Sequence, residues 1–468
     1  VRRLPKEKEA AMRFQTIAFL MLGAAMGCGG GSSSVPATQQ GATRHASSPS
    51  SPIQHVVIVV QENRTFNDLF ATYPGGDGTA VGKVEANPNC SPPIKAGTIP
   101  LAKVPLDVPK DLDHKFSGYE TARDNGNMDG FDLVDFGSSV PECTFPYQYT
   151  EPSQVVPYWD MAEQYALAEH MFTTQGSDSF TAHQDLIRGG TEVERDKAMV
   201  DFPTCGSCWW GCDAVPGTVT HLVSKENVSL RQRGPFPCSK KFKLKYPTLR
   251  DLMDAKGVTW KYYQPLFSKP YGQLLSAFDA VWPVRNGPEW KTNIVTPQTA
   301  IFSDISKGTL PQVSWVIPDQ NESDHPGTKS DTGPSWVASI VNAIGQSNYW
   351  QHTAVVVVWD DWGGLYDNMP PKVMDYGGLG FRVPAIIVSA YAKAGYISTT
   401  NYEFGSILRY VEDNWNLGQL GTSDSRANSI IDCFNYSQPP IVFHKIPSQF
   451  SKEYFIHAKY SGPPDTDM

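Results

Sequence analysis

The chain has 468 residues, 40% hydrophobic and 19% charged, with 39 Lys and Arg against 48 Asp and Glu. That length exceeds the usual single domain but suits one large α/β domain carrying insertions. The net charge of −9 argues against nucleic acid as the main partner, yet leaves anionic small substrates open, because a local metal or Arg can dominate a site.

Residues 1–50 do not read as folded structure. The apolar segment from Phe14 to Met26 follows Arg13, with Met12 as a candidate start. It is too short to span a membrane comfortably and sits like the core of a signal peptide. Cys28 and the GGGSSS run after it resemble a bacterial lipoprotein signal. The expectation is a cleaved segment over 1–28, a lipidated Cys28 anchoring the chain to a membrane, and a Ser/Gly/Pro-rich tether over 29–52. Plain secretory cleavage is the alternative. Both predict export, as a periplasmic or cell-surface lipoprotein or as a secreted protein. No internal repeat or membrane span is visible elsewhere.

HVVIVVQENRTFND, from His55 to Asp68, opens with a β-branched run that reads as a strand buried on both faces. It stops at Gln61-Glu62-Asn63-Arg64. Four polar residues at a buried strand end are costly unless they bind something. Ligands of open α/β sheets sit beyond the carboxyl ends of parallel strands. Glu62 and Asn63 offer hard oxygen ligands, and Thr65 or Asn67 suits a helix cap. A strand followed by a capped helix, with Glu62 solvated, is the plainer reading.

Asn87–Leu112 is rich in Pro and Lys and reads as an excursion between core elements; Asp113-His114 follows. Helical periodicity predicts a core helix over Tyr158–Phe172. It runs into a turn full of hydroxyls, Thr173 to His183. Ser179 there is either a helix cap or a nucleophile held where backbone N–H groups bind phosphate.

Residues 192–246 carry four cysteines, two adjacent tryptophans and many basic residues. They read as a disulfide-braced insertion at the rim of a site. Six cysteines, Cys90, Cys143, Cys205, Cys208, Cys212 and Cys238, suit three disulfides in an exported protein, with Cys90–Cys143 as one pair. A zinc site in the second group is the alternative. Cys433 sits in an apolar context and reads as a buried free thiol.

An αβ rhythm returns with a helix over Leu249–Lys256 and a strand from Val258 to Tyr263. LPQVSWVIP, from Leu310 to Pro318, is another strand, and its end carries Asp319, Asn321, Asp324 and His325. A helix over Ser335–Ser347 feeds TAVVVVWDDWGGLYD, Thr353–Asp367, which repeats the design of the first strand. Two buried strands each ending in carboxylates point to one shared cation site, since adjacent carboxylates repel in a dry pocket. A solvated turn over Asp360–Gly364 is the alternative. VPAIIVS, Val383–Ser389, is a buried strand preceded by Arg382, and Ser406–Trp415 is a helix.

Six segments taken together resemble the bacterial phosphoesterase family that holds phosphocholine-type phospholipases C and related acid phosphatases. They are HVVIVVQENRTFND, DHKFSGY with NGNMDGF, GSDSFTAHQDLIRGG, LPQVSWVIPDQNESDHPG, VVVVWDDWGGLYD, and GFRVPAIIVSAYAKAGYIS with SILRYVEDNW. The resemblance implies an alkaline-phosphatase-like α/β fold, mostly parallel with helices on both faces. It implies a catalytic domain over 53–445, leaving 446–468 as a tail. It further implies Glu62, Asn63, Asp360 and Asp361 as metal ligands, Ser179 as nucleophile and His114 and His325 as active-site histidines. His183 and Arg382 are assigned to substrate binding. The all-oxygen ligand set favours Ca²⁺ or Mg²⁺, with Zn²⁺ next. The expected substrate is a phosphate-ester small molecule or a phospholipid headgroup. Asn127, Asn368 and Thr399 depart from the family pattern, which often has Lys at the first position and His at the other two.

Overall fold

The computed structural model describes residues 51–134, 143–204, 211–225, 230–233, 238, 246–266, 275–459 and 461. The expectations for 1–28, for Cys28, for most of the tether, and for Cys205 and Cys208 fall outside these residues. Among the described residues no helix is long and apolar enough to cross a membrane.

Eight strands form the main sheet. In chain order they are β1 (His55–Gln61), β2 (Ala166–Ala168), β3 (Trp260–Tyr263), β4 (Ile294–Val295), β5 (Val313–Val316), β6 (Thr353–Trp359), β7 (Ala385–Ser389) and β8 (Tyr396–Ser398). Their spatial order is β4-β3-β5-β1-β6-β7-β2-β8. β1 pairs in parallel with both β5 and β6, and β7 is antiparallel to both its neighbours. The fold is thus α/β with a mostly parallel sheet.

The centre of the sheet follows from its residues. In β1 and β6, consecutive β-branched side chains are all buried beyond His55, which requires cover on both faces. Stiff Val and Ile side chains suit this environment. The β1–β6 register sets Gln61 against Trp359, so the residues after both strands emerge side by side.

Six helices matter below: α1 (Phe66–Phe70), α2 (Val156–Gln164), α3 (Ser179–Arg188), α4 (Leu249–Lys256), α5 (Gly333–Gly345) and α6 (Phe404–Trp415). α4 has the predicted bounds. Thr248 N donates to Asp251 Oδ2 at 2.9 Å at its start, and Gly257 closes it with φ +68°.

The helix expected over Tyr158–Phe172 ends at Gln164. Tyr165–Ala168 is wholly buried, and Ala166–Ala168 joins the sheet between β7 and β8. A short run buried on all sides has no helical periodicity to distinguish it from a strand. The strand expected over Val383–Ser389 is split at Pro384, which has no N–H for a ladder: Arg382–Val383 pairs with Met171–Phe172, and β7 pairs with β6.

The Cys-rich insertion forms its own four-stranded antiparallel sheet from Glu192–Glu194, Lys197–Thr204, Val219–Ser224 and Leu230–Arg233. Disulfides join Cys90 to Cys143 and Cys212 to Cys238, and Cys433 is a buried free thiol. Oxidation of Cys212 and Cys238 removes them from any zinc site. The segment expected as a tail from residue 446 packs on the domain: Ile446 and Phe455 are buried, and Phe455 meets Trp336 of α5 at 5.3 Å between ring centroids.

Candidate active site

The adjacent ends of β1 and β6 build the floor. Asp360 N donates to Gln61 O, and Asp360 Oδ1 accepts from Asn63 N, both at 2.9 Å. Asn63 takes a left-handed φ of +57°, which Asn tolerates better than most residues. Gly363 lies against it. A Cβ on Gly363, itself at φ +57°, would stand 2.2 Å from Asn63 O, so the Gly-Gly turn lets the two strand ends approach.

α3 brings the third component. Ser179 is its first residue, where backbone N–H groups have no intrahelical partner. Of the three hydroxyls nearest the start of α3, those of Ser177, Ser179 and Thr181, Thr181 donates to Asp178 O, and Ser177 accepts from Asp201 N. Ser179 Oγ donates to Asp361 Oδ2 at 2.9 Å and lies 3.3 Å from Asn63 Oδ1. The insertion holds the turn from behind: Asp201 N donates to Ser177 Oγ at 2.8 Å, and Phe202 N to Asp178 Oδ2 at 2.6 Å.

His183 lies four residues after Ser179, one turn on along the same helix face. Expected to bind substrate, it instead joins the carboxylates. Its Nε2 is 3.2 Å from Glu62 Oε1 and 3.5 Å from Asp360 Oδ2. The ligand atoms of Glu62, His183 and Asp360 all lie within 4.8 Å of one another. Glu62 Oε2 and Asp360 Oδ2 are buried without a hydrogen-bond partner. Two orphaned carboxylate oxygens beside an imidazole fit a cation, because buried polar atoms otherwise find partners. Asn63 and Asp361 border this cluster on the Ser179 side.

Burial, and then the charge of Asp360, push the Glu62 carboxyl well above its usual range. Burial opposes a charged His183, but the Glu62 and Asp360 carboxylates outweigh it and raise the imidazole. Burial also opposes a charged Asp360, yet the facing His183 and the Asn63 N–H lower it. The cluster therefore retains protons that a cation would have to displace.

His114 stands against Asn63, and His325 stands next to His114. His114 Nδ1 donates to Leu112 O at 2.6 Å, which leaves Nε2 to accept from Asn63 Nδ2 at 2.9 Å. The His325 ring stands 6.3 Å from that of His114 at 73°. His325 Nδ1 donates to Pro326 O at 2.6 Å, and its Nε2 is buried without a partner. Ser179, Asn63, Asp361 and all three histidines are at most 1% exposed.

Arg382 is not brought to this cluster. It is buried, with Nε donating to Asp367 Oδ1 at 2.9 Å and Nη2 to Asn368 Oδ1 at 2.8 Å, and it lies over the Phe66 ring. The expected substrate ligand thus braces the segment after the Gly-Gly turn, because a buried guanidinium needs the nearest carboxylate.

The profile of the Phosphoesterase family matches residues 53–418. The chain belongs to the Phosphoesterase family. This phosphoesterase is 23% identical over 446 residues to "Phospholipase C A" of Mycobacterium tuberculosis, covering 83% of this chain and 78% of that one. It is 22% identical over 446 residues to "Non-hemolytic phospholipase C" of Pseudomonas aeruginosa, covering 83% and 58%. Among solved structures it is similar to a protein in the alkaline phosphatase superfamily from Vibrio parahaemolyticus, with TM-score 0.36, 9% identity, and 82% and 73% of the two chains covered. The phosphoesterase is a hydrolase acting on phosphoric ester bonds.

Proposed function

We propose that this hydrolase cleaves phosphate monoesters, in the manner of an acid phosphatase, through a phosphoserine on Ser179. The observation that carries the reading is the Ser179 hydroxyl, at a helix start and 2.9 Å from the Asp361 carboxylate. Asp361 accepts the Ser179 proton as Oγ bonds to phosphorus and the ester P–O bond breaks. His325, whose Nε2 has no protein partner, gives a proton to the leaving oxygen. Water then attacks the phosphoserine and returns a proton to His325, while Asp361 gives its proton back to Ser179 Oγ as the Oγ–P bond breaks and phosphate leaves. His114 orients the Asn63 amide through its 2.9 Å bond. Glu62, His183 and Asp360 would hold one divalent cation, which when bound neutralises charge on the phosphoryl oxygens. With an imidazole in the set, Zn²⁺ or another metal that accepts nitrogen fits better than the all-oxygen preference for Ca²⁺ or Mg²⁺.

The second reading is phospholipase C activity on a phosphatidylcholine-type lipid, favoured by two relatives that carry that name over 83% of this chain. Purified protein assayed on p-nitrophenyl phosphate and on phosphatidylcholine, with and without chelator, separates the two. Turnover of the first substrate alone supports the monoesterase. Turnover of the second alone replaces it with the phospholipase. Turnover of neither sinks both.

A further inference from the structure

A cleft of about 160 Å³ lies at the other end of α3 from Ser179. Asp185 contributes its buried wall. It stands six residues after Ser179, ~9 Å along the helix axis and on another face. Asp185 is 1% exposed, and neither carboxylate oxygen has a hydrogen-bond partner in the protein. Ser423, also on the wall and 5% exposed, has an unpartnered Oγ. Glu192 and Asp375 stand exposed at the rim.

The charge of this cleft is negative. Its one lining cation, Arg426, is engaged already: Nε and Nη2 donate to Glu403 at 2.7 and 2.9 Å, and Nη1 donates to Asp375. Burial and the charge of Glu403 push the Asp185 carboxyl well above its usual range, so a ligand cation can replace its proton, whereas an anion would face Glu192 and Asp375 at the rim. Size and donor geometry narrow its chemistry. A single water needs about 10–15 Å³ of such space, so the cleft holds several heavy atoms rather than a bare ion. Among the described residues, the ligand groups close enough to surround a metal are Glu62, His183 and Asp360, and Glu85, Asp124 and Asp129, none of them in this cleft. A quaternary ammonium has no N–H for Asp185 and prefers aromatic faces, whereas Tyr376 is the only aromatic side chain in the lining.

We propose that this cleft binds a small primary ammonium of amino-alcohol type, its N–H groups donated to both Asp185 oxygens and to Ser423 Oγ. The ligand hydroxyl meets the Thr191 and Thr422 side chains, which also line the space.

The test is calorimetric titration of the full chain with ethanolamine, with choline and Ca²⁺ as comparison ligands. One ethanolamine should bind per chain, and choline should bind far more weakly. Asp185→Asn keeps the side-chain shape and should weaken ethanolamine at least about ten-fold, since it removes a charged acceptor. Gly190→Leu leaves Asp185 intact and fills the cleft; a Cβ there meets nothing nearer than Thr422 Cβ at 3.9 Å. It should weaken binding as much. Ser179→Ala should bind ethanolamine like the wild type, which keeps the result independent of the proposed phosphoryl chemistry. Each variant is compared at matched circular dichroism. Absence of ethanolamine binding, unchanged affinity in either cleft variant, choline binding as tightly, or Ca²⁺ binding that Asp185→Asn abolishes would each overturn the proposal.

Discussion

Gly363→Ala tests the geometry of the strand ends without removing any functional group. The new Cβ would stand 2.2 Å from Asn63 O and 2.8 Å from Asn63 C, in a residue at φ +57°. Carbon–oxygen contacts settle at about 3.3–3.6 Å, so the Asn63 backbone must withdraw by roughly 1 Å. The left-handed conformation itself costs about 1–2 kcal/mol for a residue with a Cβ. Asn63 carries the bond to His114 Nε2 and the 3.3 Å contact to Ser179, so its displacement is felt at the nucleophile. A misplacement of about 1 Å costs about 10²-fold in rate. The assay is kcat/KM on whichever phosphate ester the wild type turns over, with thermal unfolding in parallel. Gly257→Ala is the control. Its φ is +68° with nothing within 4 Å of the added Cβ, so it should lose about 1 kcal/mol and keep its activity. A folded Gly363→Ala enzyme with wild-type kcat/KM would show that the approach of the two strand ends does not position the site.

Ser179→Ala should fold and keep its metal content while losing turnover at least about 10³-fold; acid-trapped wild-type enzyme should yield one phosphopeptide, and phosphate on a residue other than Ser179 refutes the assignment. His325→Asn should slow alkyl phosphates far more than p-nitrophenyl phosphate, whose leaving group needs little proton donation; equal losses on both would remove His325 from that role. Glu62 and His183 hold their protons above the usual range and must release them to ligate, so metal affinity should fall as pH is lowered, measured by competition with a chelating dye; an affinity that rises on acidification sinks the ligand set. Thiol counting under denaturing, non-reducing conditions should find Cys433 reactive and Cys90, Cys143, Cys212 and Cys238 unreactive; labelling of those four would refute the disulfides.

The features legible in the sequence were those with one dominant cause. Runs of Val and Ile marked β1 and β6 because such side chains are stable only when covered. Their polar ends pointed to the cluster in which Glu62 and Asp360 meet, because burying polar groups without compensation is costly. α4 was legible from its cap and its closing Gly257. Features that depend on neighbours were less accessible. Ala166–Ala168 pairs with strands more than 200 residues away in sequence, and nothing in Tyr165–Ala168 itself distinguishes strand from helix. His183 belongs with the carboxylates because α3 turns it toward β1; its spacing of four from Ser179 was the available signal. Arg382 is drawn to Asp367, a pairing visible only once the segment after the Gly-Gly turn has folded back. The insertion was recognised by its cysteines, whereas its grip on Ser177 and Asp178 comes from the backbone of Asp201 and Phe202, which no side-chain pattern announces.

The strand order carries a consequence for biogenesis. β1 is the first strand of the sheet to be synthesised, yet its two partners, β5 and β6, are among the later ones, and the Asn63–Asp360 bond joins residues 297 apart in sequence. During synthesis the segment VVIVV therefore exists for most of the chain's length with both edges unpaired, a state prone to self-association. Such high contact order slows folding. A holding factor that covers this segment until β6 is made should thus raise the yield of active protein more than any change at the chemical centre, and fragments ending before Thr353 should be recovered in aggregates.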